Sequence, residues 1–417
     1  MPPTTPRDQK PYDVIVLGAT GYVGQLIAEY LATSYRGNEV RWAMAGRSQK
    51  KLDAVKASLG EAGAGIATVV ADTSNMNDLE ALVDQGRVIL TTVGPYAKYG
   101  SGLVEACARS GTDYVDLTGE APWIQAMIDT WQTEAEASGA RIVPCCGFDS
   151  IPSDLGVFFL NEEVRKITGR PCTSIRMRVV SARGGISGGT IDSMMTMMEN
   201  MGSDPRIRST MGNPYALNPE GQRKGPRQPG GLPVSYDRDA GGWTAPFIMA
   251  AINTRVVHRS NALLHHAYGR DFTYEEAMMA GGPVLGGPAA VAVTGAMGAF
   301  GLAVALPPTR ALLKRFVLPK PGEGPTQEQR ENGYYDLLFI GKGVDGETYK
   351  ARVLGDRDPG YGSTAKMIAE AAICLNGLPP GSPGGGLWTP ASAMGHFLIE
   401  RLRAHAGLTF GMESDLP

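Results

Sequence analysis

Hydrophobic and polar positions follow two alternating periods over the first 150 or so residues. An apolar run at 14–17 reads as a fully buried strand, and 22–33 carries apolar residues at helical spacing. Further strands are predicted at 40–45, 67–71, 88–93, 113–117 and 141–145, with helical stretches between them. Strict strand and helix alternation predicts a parallel, doubly wound α/β sheet. From about residue 154 the pattern changes. A helix at 155–164 precedes a strand at 174–181, a glycine-rich run at 184–190 and a methionine-rich helix at 191–201. Met194, Met195, Met197, Met198, Met201 and Met211 crowd that region, as adaptable core packing or as a surface for varied apolar ligands. The stretch 204–242, rich in Pro, Gly and charge, reads as a long loop, and 262–268 as a helix. Strands 334–340 and 348–354 pair across Asp345 and Gly346 as a hairpin. Helices at 363–375, with Ser363 or Thr364 near its cap, and at 391–402 close the chain. Strands and helices segregated in this way predict an α+β second domain. The expected division is 1–154 and 155–417, with the C-terminal helix able to pack back on the first domain.

One stretch breaks the soluble pattern. Residues 281–306 carry no charge, and roughly 20 apolar residues suffice to span a bilayer. The run is rich in Gly and Ala, is interrupted by Pro283 and Pro288, and is followed by Arg310, Lys314 and Arg315. A buried or substrate-shielding segment, an element dipping into a membrane surface and a true span all stay open, and each implies apolar surroundings.

Composition narrows the class. A chain of 417 residues with 43% hydrophobic and 19% charged residues is long enough for two globular domains. Its net charge of −3 gives no electrostatic case for nucleic acid. Five cysteines (Cys107, Cys145, Cys146, Cys172, Cys374) form no CxxC pair and no metal-ligand spacing with the five histidines. That usage fits reduced thiols in a cytosolic protein. Residues 1–10 are polar and proline-rich, with no signal-peptide core, and are expected to be a floppy lead-in. A cytoplasmic homodimer is expected.

The chemistry starts at the first turn, Gly18, Ala19, Thr20, Gly21, Tyr22, Val23 and Gly24. Gly18 lets the chain turn sharply out of the strand, Gly21 removes a Cβ that would hold phosphate off, and Gly24 lets the helix pack closely. The helix N-terminus then presents its amides to a dinucleotide pyrophosphate. After the second strand come Gly46, Arg47 and Ser48, where an NAD enzyme usually carries a carboxylate for the ribose 2′-OH. A guanidinium suits a 2′-phosphate instead, so NADP(H) is expected. Asp72 follows the third strand and either helps hold the adenine or caps its own turn. Ligands sit outside the carboxyl ends of such strands, so Thr92, Val93, Gly94, Pro95 and Tyr96, and then Gly147, Phe148 and Asp149, are expected to line the cofactor.

These residues carry a resemblance. The first turn together with Arg47, the runs 90–96, Tyr99 with Gly100, Cys107, 111–114, 116–120 and 146–154 resemble the saccharopine dehydrogenase-like oxidoreductases, and more narrowly the mycobacterial trans-acting enoyl reductases. The likeness continues through 187–190, 253–255, 259–262, 320–322 and 389–395, nearly the whole chain. It implies an NADP-binding Rossmann domain followed by an α+β domain. The implied activity is reduction of an enoyl thioester, a polyketide or long-chain acyl group held on the carrier domain of a synthase that lacks its own working enoyl reductase, in lipid biosynthesis. A place in the cytoplasm, peripheral to the inner face of the cell membrane through 281–306, goes with such a substrate.

Enoyl reduction needs a hydride at the β carbon, a donor to the thioester oxygen and a proton at the α carbon. No Ser-Tyr-Lys constellation is evident. Tyr96 and Tyr99 are candidate donors, with shaping of their loop as the alternative. Asp149 is a candidate proton relay or nicotinamide partner, while Ser153 or Asp154 could cap the next helix. Two other readings stay open: a nucleotide-binding lipid- or membrane-associated scaffold with little turnover, and a saccharopine-type amino acid dehydrogenase. The uncharged run 281–306 argues against the multiply charged substrate of the latter.

Overall fold

The computed structural model describes residues 5–36, 39–184, 195, 204–229, 234–306, 308–309, 313, 324–379 and 381–416. They form two compact units. The first is Met1–Phe148 with Gly322–Gly324 and Tyr361–Ala406, and the second is Asp149–Pro321, Pro325–Gly360 and Gly407–Pro417.

The first unit is a parallel sheet built from β1 (Tyr12–Leu17), β2 (Trp42–Gly46), β3 (Ala67–Val70), β4 (Gly86–Thr91), β5 (Asp113–Asp116) and β6 (Arg141–Val143). A short strand, Gly386–Leu387, adds a seventh at the edge, in the order Gly386–Leu387, β6, β5, β4, β1, β2, β3. β1 lies between β2 and β4 and is covered on both faces, which is why its sequence is a continuous apolar run. Helices Met76–Val83, Ser101–Ser110 and Ala121–Ser138 pack side by side as crossovers. After β6 the chain leaves this unit, so no crossover follows. The apolar surface left open is covered by Thr364–Gly377, which lies on β1, β4 and β5 beside the first helix, Tyr22–Ser34. Buried Glu370 fastens it there, accepting from Tyr30 Oη at 2.7 Å, Tyr35 Oη at 2.6 Å and Arg401 Nε at 2.9 Å. The first unit thus runs to Phe148 and takes back Tyr361–Ala406, where the expected division lay at 154/155 with the C-terminal helix able to return.

The N-terminal lead-in is also docked from Thr5 onward rather than floppy. Arg7 reaches the buried Asp113 carboxylate at 2.8 Å, and buried Lys10 donates to Val83 O and Thr112 Oγ1 at 2.8 and 2.6 Å. Both acceptors lie deep in the unit, which is what a buried ammonium requires.

The second unit is a mixed sheet of β7 (Ser174–Arg183), β8 (Ser235–Asp237), β9 (Gly242–Pro246), β10 (Thr273–Gly281), β11 (Tyr334–Lys342), β12 (Thr348–Gly355) and Leu408–Met412. The order is Leu408–Met412, β12, β11, β7, β10, β9, β8, with β10 parallel to β7 and the other neighbours antiparallel. The expected hairpin is present, with Lys342 opposite Thr348. Helix Ile151–Thr168 packs on β11 and β12, starting four residues before the predicted 155, and Gly156 gives room to the Phe339 ring.

Two expectations fail here, and two strands were not foreseen. The stretch 204–242 is not one loop: it holds helix Pro205–Gly212, buried Tyr215, Ala216 and Leu217, and strand β8. The helix expected at 262–268 is instead Ala250–Leu263, stopped by positive φ at His265 and His266 (55° and 60°). Strands β9 and β10 carry no clean alternation and are not predicted. The methionine-rich helix falls outside the described residues apart from Met195, which is buried.

Residues of 281–306 form a 20-residue helix, Gly286–Ala305, against β9 and β10. Gly286, Ala290 and Val304 are buried while most other positions are half-buried or exposed, so of the three readings of this run a fully buried segment is the one the structure does not support.

Candidate functional site

The site begins where β1 ends. Gly18 has φ +93°, and a Cβ there would stand 2.7 Å from Thr92 Oγ1 and 2.9 Å from Val93 Cγ2. At Gly24 a Cβ would meet the Gly18 carbonyl oxygen at 2.1 Å, so only glycine lets the first helix sit down on its own turn. The turn is held by Gly21 N donating to Gly18 O at 2.9 Å, and by Gly18 N and Ala19 N donating to Ala45 O on β2. The helix starts on Gly21 with no side-chain cap, and its first turn carries no acidic residue. At Gly21 an added Cβ would meet nothing of the chain nearer than Gly18 O at 3.3 Å. This is an open helix N-terminus of the kind that receives pyrophosphate. The residues present fit the expected dinucleotide.

Around it the other expected residues sort themselves. Thr20 O accepts from Gln25 Nε2 at 3.1 Å, and the rings of Tyr22 and Tyr361 meet edge-on at 5.0 Å. Val23 lies in the first helical turn, and Gly46 is the last residue of β2, with Arg47 exposed beyond it. Arg47 lies where a ribose 2′-phosphate is read in such folds. The Ser48 hydroxyl accepts from Lys51 N, so it caps helix Gln49–Ser58. Asp72 caps its own turn: its Oδ1 accepts from Ser74 N and Oγ at 2.9 and 2.8 Å. Those bonds, with a smaller contribution from the Arg47 charge, hold its carboxyl below its ordinary value.

The loop after β4 is over-determined. Thr92 N donates to Leu17 O, Thr91 Oγ1 accepts from Val93 N, and Gly94 and Pro95 lead into the short helix Tyr96–Tyr99. Glu120 receives the Tyr96 and Ala97 amides on its two oxygens, both at 2.8 Å. Tyr96 itself is buried, its hydroxyl donating to Thr91 O at 3.2 Å and accepting from Leu117 N at 3.1 Å. Burial raises its pKa well above the ordinary value. That hydroxyl is a strut between two loops, which corrects its candidacy as a donor to substrate. Tyr99 is 38% exposed, with Lys98 Nζ 5.1 Å from its ring centre.

Beneath this loop lies a group the sequence reading missed. Asp116, wholly buried at the carboxyl end of β5, accepts from Tyr114 Oη at 2.7 Å, Thr118 N at 2.9 Å and Cys145 N at 3.0 Å. Burial outweighs those bonds and raises its carboxyl to about 7. It ties the exits of β5 and β6 together, and the run Asp116 to Glu120 was its only signal. Gly147 and Phe148 follow β6: the Phe148 amide donates to Thr364 Oγ1 at 3.0 Å, so this hydroxyl holds the loop instead of capping its own helix.

Asp149 is half-buried and is the first residue of the second unit. Close behind it, that unit encloses a polar network. Ser150 Oγ donates to Asn253 Oδ1 at 3.0 Å, and Asn253 Nδ2 donates to Ser153 Oγ at 3.1 Å and Glu276 Oε2 at 3.0 Å. Tyr274 Oη donates to Glu276 Oε1 at 2.6 Å, and Ser260 Oγ to Asp154 Oδ1 at 2.5 Å. All seven side chains are buried. Burial raises the Glu276 carboxyl to about 7. Ser153 and Asp154 thus serve this network, and helix Ile151–Thr168 starts on Ser150 with no side-chain cap. Sequence reasoning had no route to Glu276, which lies far from residues 150–154 along the chain.

Comparison with known proteins agrees with this layout. Residues 14–143 match the saccharopine dehydrogenase NADP binding domain, so the chain carries an NADP(H)-binding domain of that type. A Mycobacterium tuberculosis protein provisionally named a trans-acting enoyl reductase is 44% identical over 414 residues, covering 96% of each chain. A Mycobacterium bovis protein named trans-acting enoyl reductase is 40% identical over 422 residues, covering 97% of this chain and 98% of its own. Among solved structures, an apo saccharopine dehydrogenase from Saccharomyces cerevisiae has a TM-score of 0.54 at 12% identity, covering 96% of this chain and 99% of its own. That likeness shows the fold. The chain belongs to the saccharopine dehydrogenase-like oxidoreductases and, within them, to the trans-acting enoyl reductase family.

Proposed function

We propose that the chain is an NADPH-dependent trans-acting enoyl reductase that reduces the double bond of an acyl or polyketide thioester presented on the carrier domain of a partner synthase. The observation that carries this reading is likeness to named trans-acting enoyl reductases across both units, at 40–44% identity. Retention of only the nucleotide-binding part would have left the substrate open. The bound nucleotide supplies a hydride for the β carbon of the substrate. The chain's own residues hold and orient. The Gly21 helix N-terminus receives pyrophosphate, Arg47 selects the 2′-phosphate, and the Glu120-anchored loop with Asp116 beneath it keeps the carboxyl ends of β4 and β5 rigid. Tyr99, a partly exposed residue of the first unit, is the donor we assign to the thioester oxygen. A cytoplasmic site of action goes with NADPH as reductant and with five buried cysteines, none of them in a disulfide.

The test is NADPH consumption with 2-enoyl thioesters of increasing chain length, offered as pantetheine thioesters and on an acyl carrier domain, with the saturated product followed by mass spectrometry. Formation of that product with NADPH, and more slowly with NADH, is the expected result. Tight NADPH binding with no consumption on any enoyl thioester would transfer the assignment to a scaffold, and turnover confined to a charged imine would transfer it to a saccharopine-type dehydrogenase.

A further inference from the structure

Helix Gly286–Ala305 is docked on the second unit by one side only. Gly286 lies against Trp243, where a Cβ would come within 3.1 Å of the ring, and Ala290 and Val304 are buried farther along. Of its remaining positions, Val291 and Leu302 are 61% and 69% exposed, and Ala292, Gly295, Ala296, Gly298 and Ala299 are exposed between them. The preceding turn adds Val284 and Leu285, 85% and 80% exposed. No charged residue interrupts this face from 281 to 306. A helix of 20 residues is about 30 Å long, so the face is a strip far beyond the scattered apolar side chains of an ordinary soluble surface.

Two further features select its occupant. At the start of the helix Trp243 and Tyr236 stack edge-on with centroids 5.7 Å apart, and Trp243 Nε1 donates to Pro283 O at 3.2 Å. Beyond its end, 307–322 carries Arg310, Lys314, Arg315 and Lys320 with no Asp or Glu. An aromatic pair at the start of the helix, with a basic stretch following it in the sequence, is the pattern of a segment lying at an anionic bilayer surface. We propose that this helix lies in the plane of an anionic membrane, its outward face sunk among the lipid chains, while its inner side keeps the contact with β9 and β10. Spanning would strip that inner side from the sheet. A second protein would gain little area from outward residues that are mostly Gly and Ala, whereas fluid lipid conforms to them.

The experiment is co-sedimentation of the full chain with phosphatidylcholine vesicles, with and without phosphatidylglycerol. Expected is binding at least about tenfold stronger with the anionic lipid and weakened by salt. Val291→Glu with Leu302→Glu should lower it by a similar factor, and so should Arg310→Glu with Lys314→Glu and Arg315→Glu. In both sets, circular dichroism and the stabilisation by NADPH should be unchanged. The basic-run variants keep the test valid if the glutamates on the helix impair folding. Absence of binding, binding untouched by either set, or protein that withstands alkaline carbonate extraction as a spanning segment does would overturn the proposal. So would a dimer in light scattering that the helix variants dissociate, since the strip would then be covered by a second copy.

Discussion

Replacing Glu276 by Gln tests the buried network most directly. Glu276 is buried, and burial carries its carboxyl from 4.5 to about 7. In the unfolded chain it returns to the ordinary value, so between those two pH values the folded state binds the extra proton. The sign follows: the group favours folding at low pH, and that contribution is lost as pH rises through about 7. For one carboxyl displaced this far, the loss between pH 5 and 8 is about 2.5 kcal/mol. Gln has no proton to lose. Its amide nitrogen can donate to Tyr274 Oη, and its oxygen can accept from Asn253 Nδ2, so the contacts at 2.6 and 3.0 Å survive. Asp116 titrates in the same range and tilts both proteins equally, so the difference between wild type and variant isolates Glu276. Urea denaturation of the full chain across pH 5 to 8 should show Glu276→Gln gaining on wild type by about 2.5 kcal/mol as pH rises. A difference that stays constant over that range would refute a neutral, buried Glu276.

Arg47→Ala should erase the preference for NADPH over NADH, a loss of about 1.5–3 kcal/mol of charge-assisted binding, read by titration calorimetry with both nucleotides. Gly24→Ala drives a Cβ to 2.1 Å from Gly18 O and should lower stability by about 1–3 kcal/mol, with NADPH affinity falling in parallel; thermal unfolding with and without nucleotide measures both. Tyr96→Phe removes two loop hydrogen bonds and should cost about 1–3 kcal/mol of stability, while turnover on an enoyl thioester keeps its order of magnitude. A collapse of kcat in a folded Tyr96→Phe protein would restore that hydroxyl to the chemistry.

What the sequence determined by itself is local and periodic. β1 is an apolar run because both its faces are covered, and the turn after it needs glycine at Gly18 and Gly24 because Cβ atoms there would collide with the turn's own backbone and with Thr92. Those requirements leave their mark on neighbouring residues, so the cofactor cradle was legible, as was the hairpin with its fixed turn. Tertiary structure alone decided the rest. Helix Ala250–Leu263 buries Asn253, Arg255, His258, Arg259 and Ser260, so it has no polar face for a periodicity to reveal. Strand β10 carries Glu275 and Glu276 in succession because one pairs with Arg178 and the other enters the buried network. The donor role of Tyr96 fell to its burial, and the place of Thr364–Gly377 followed from β6 having no crossover of its own. In each case a polar group or an apolar surface found its partner many residues away, and local pattern carries no record of partners that only folding brings together.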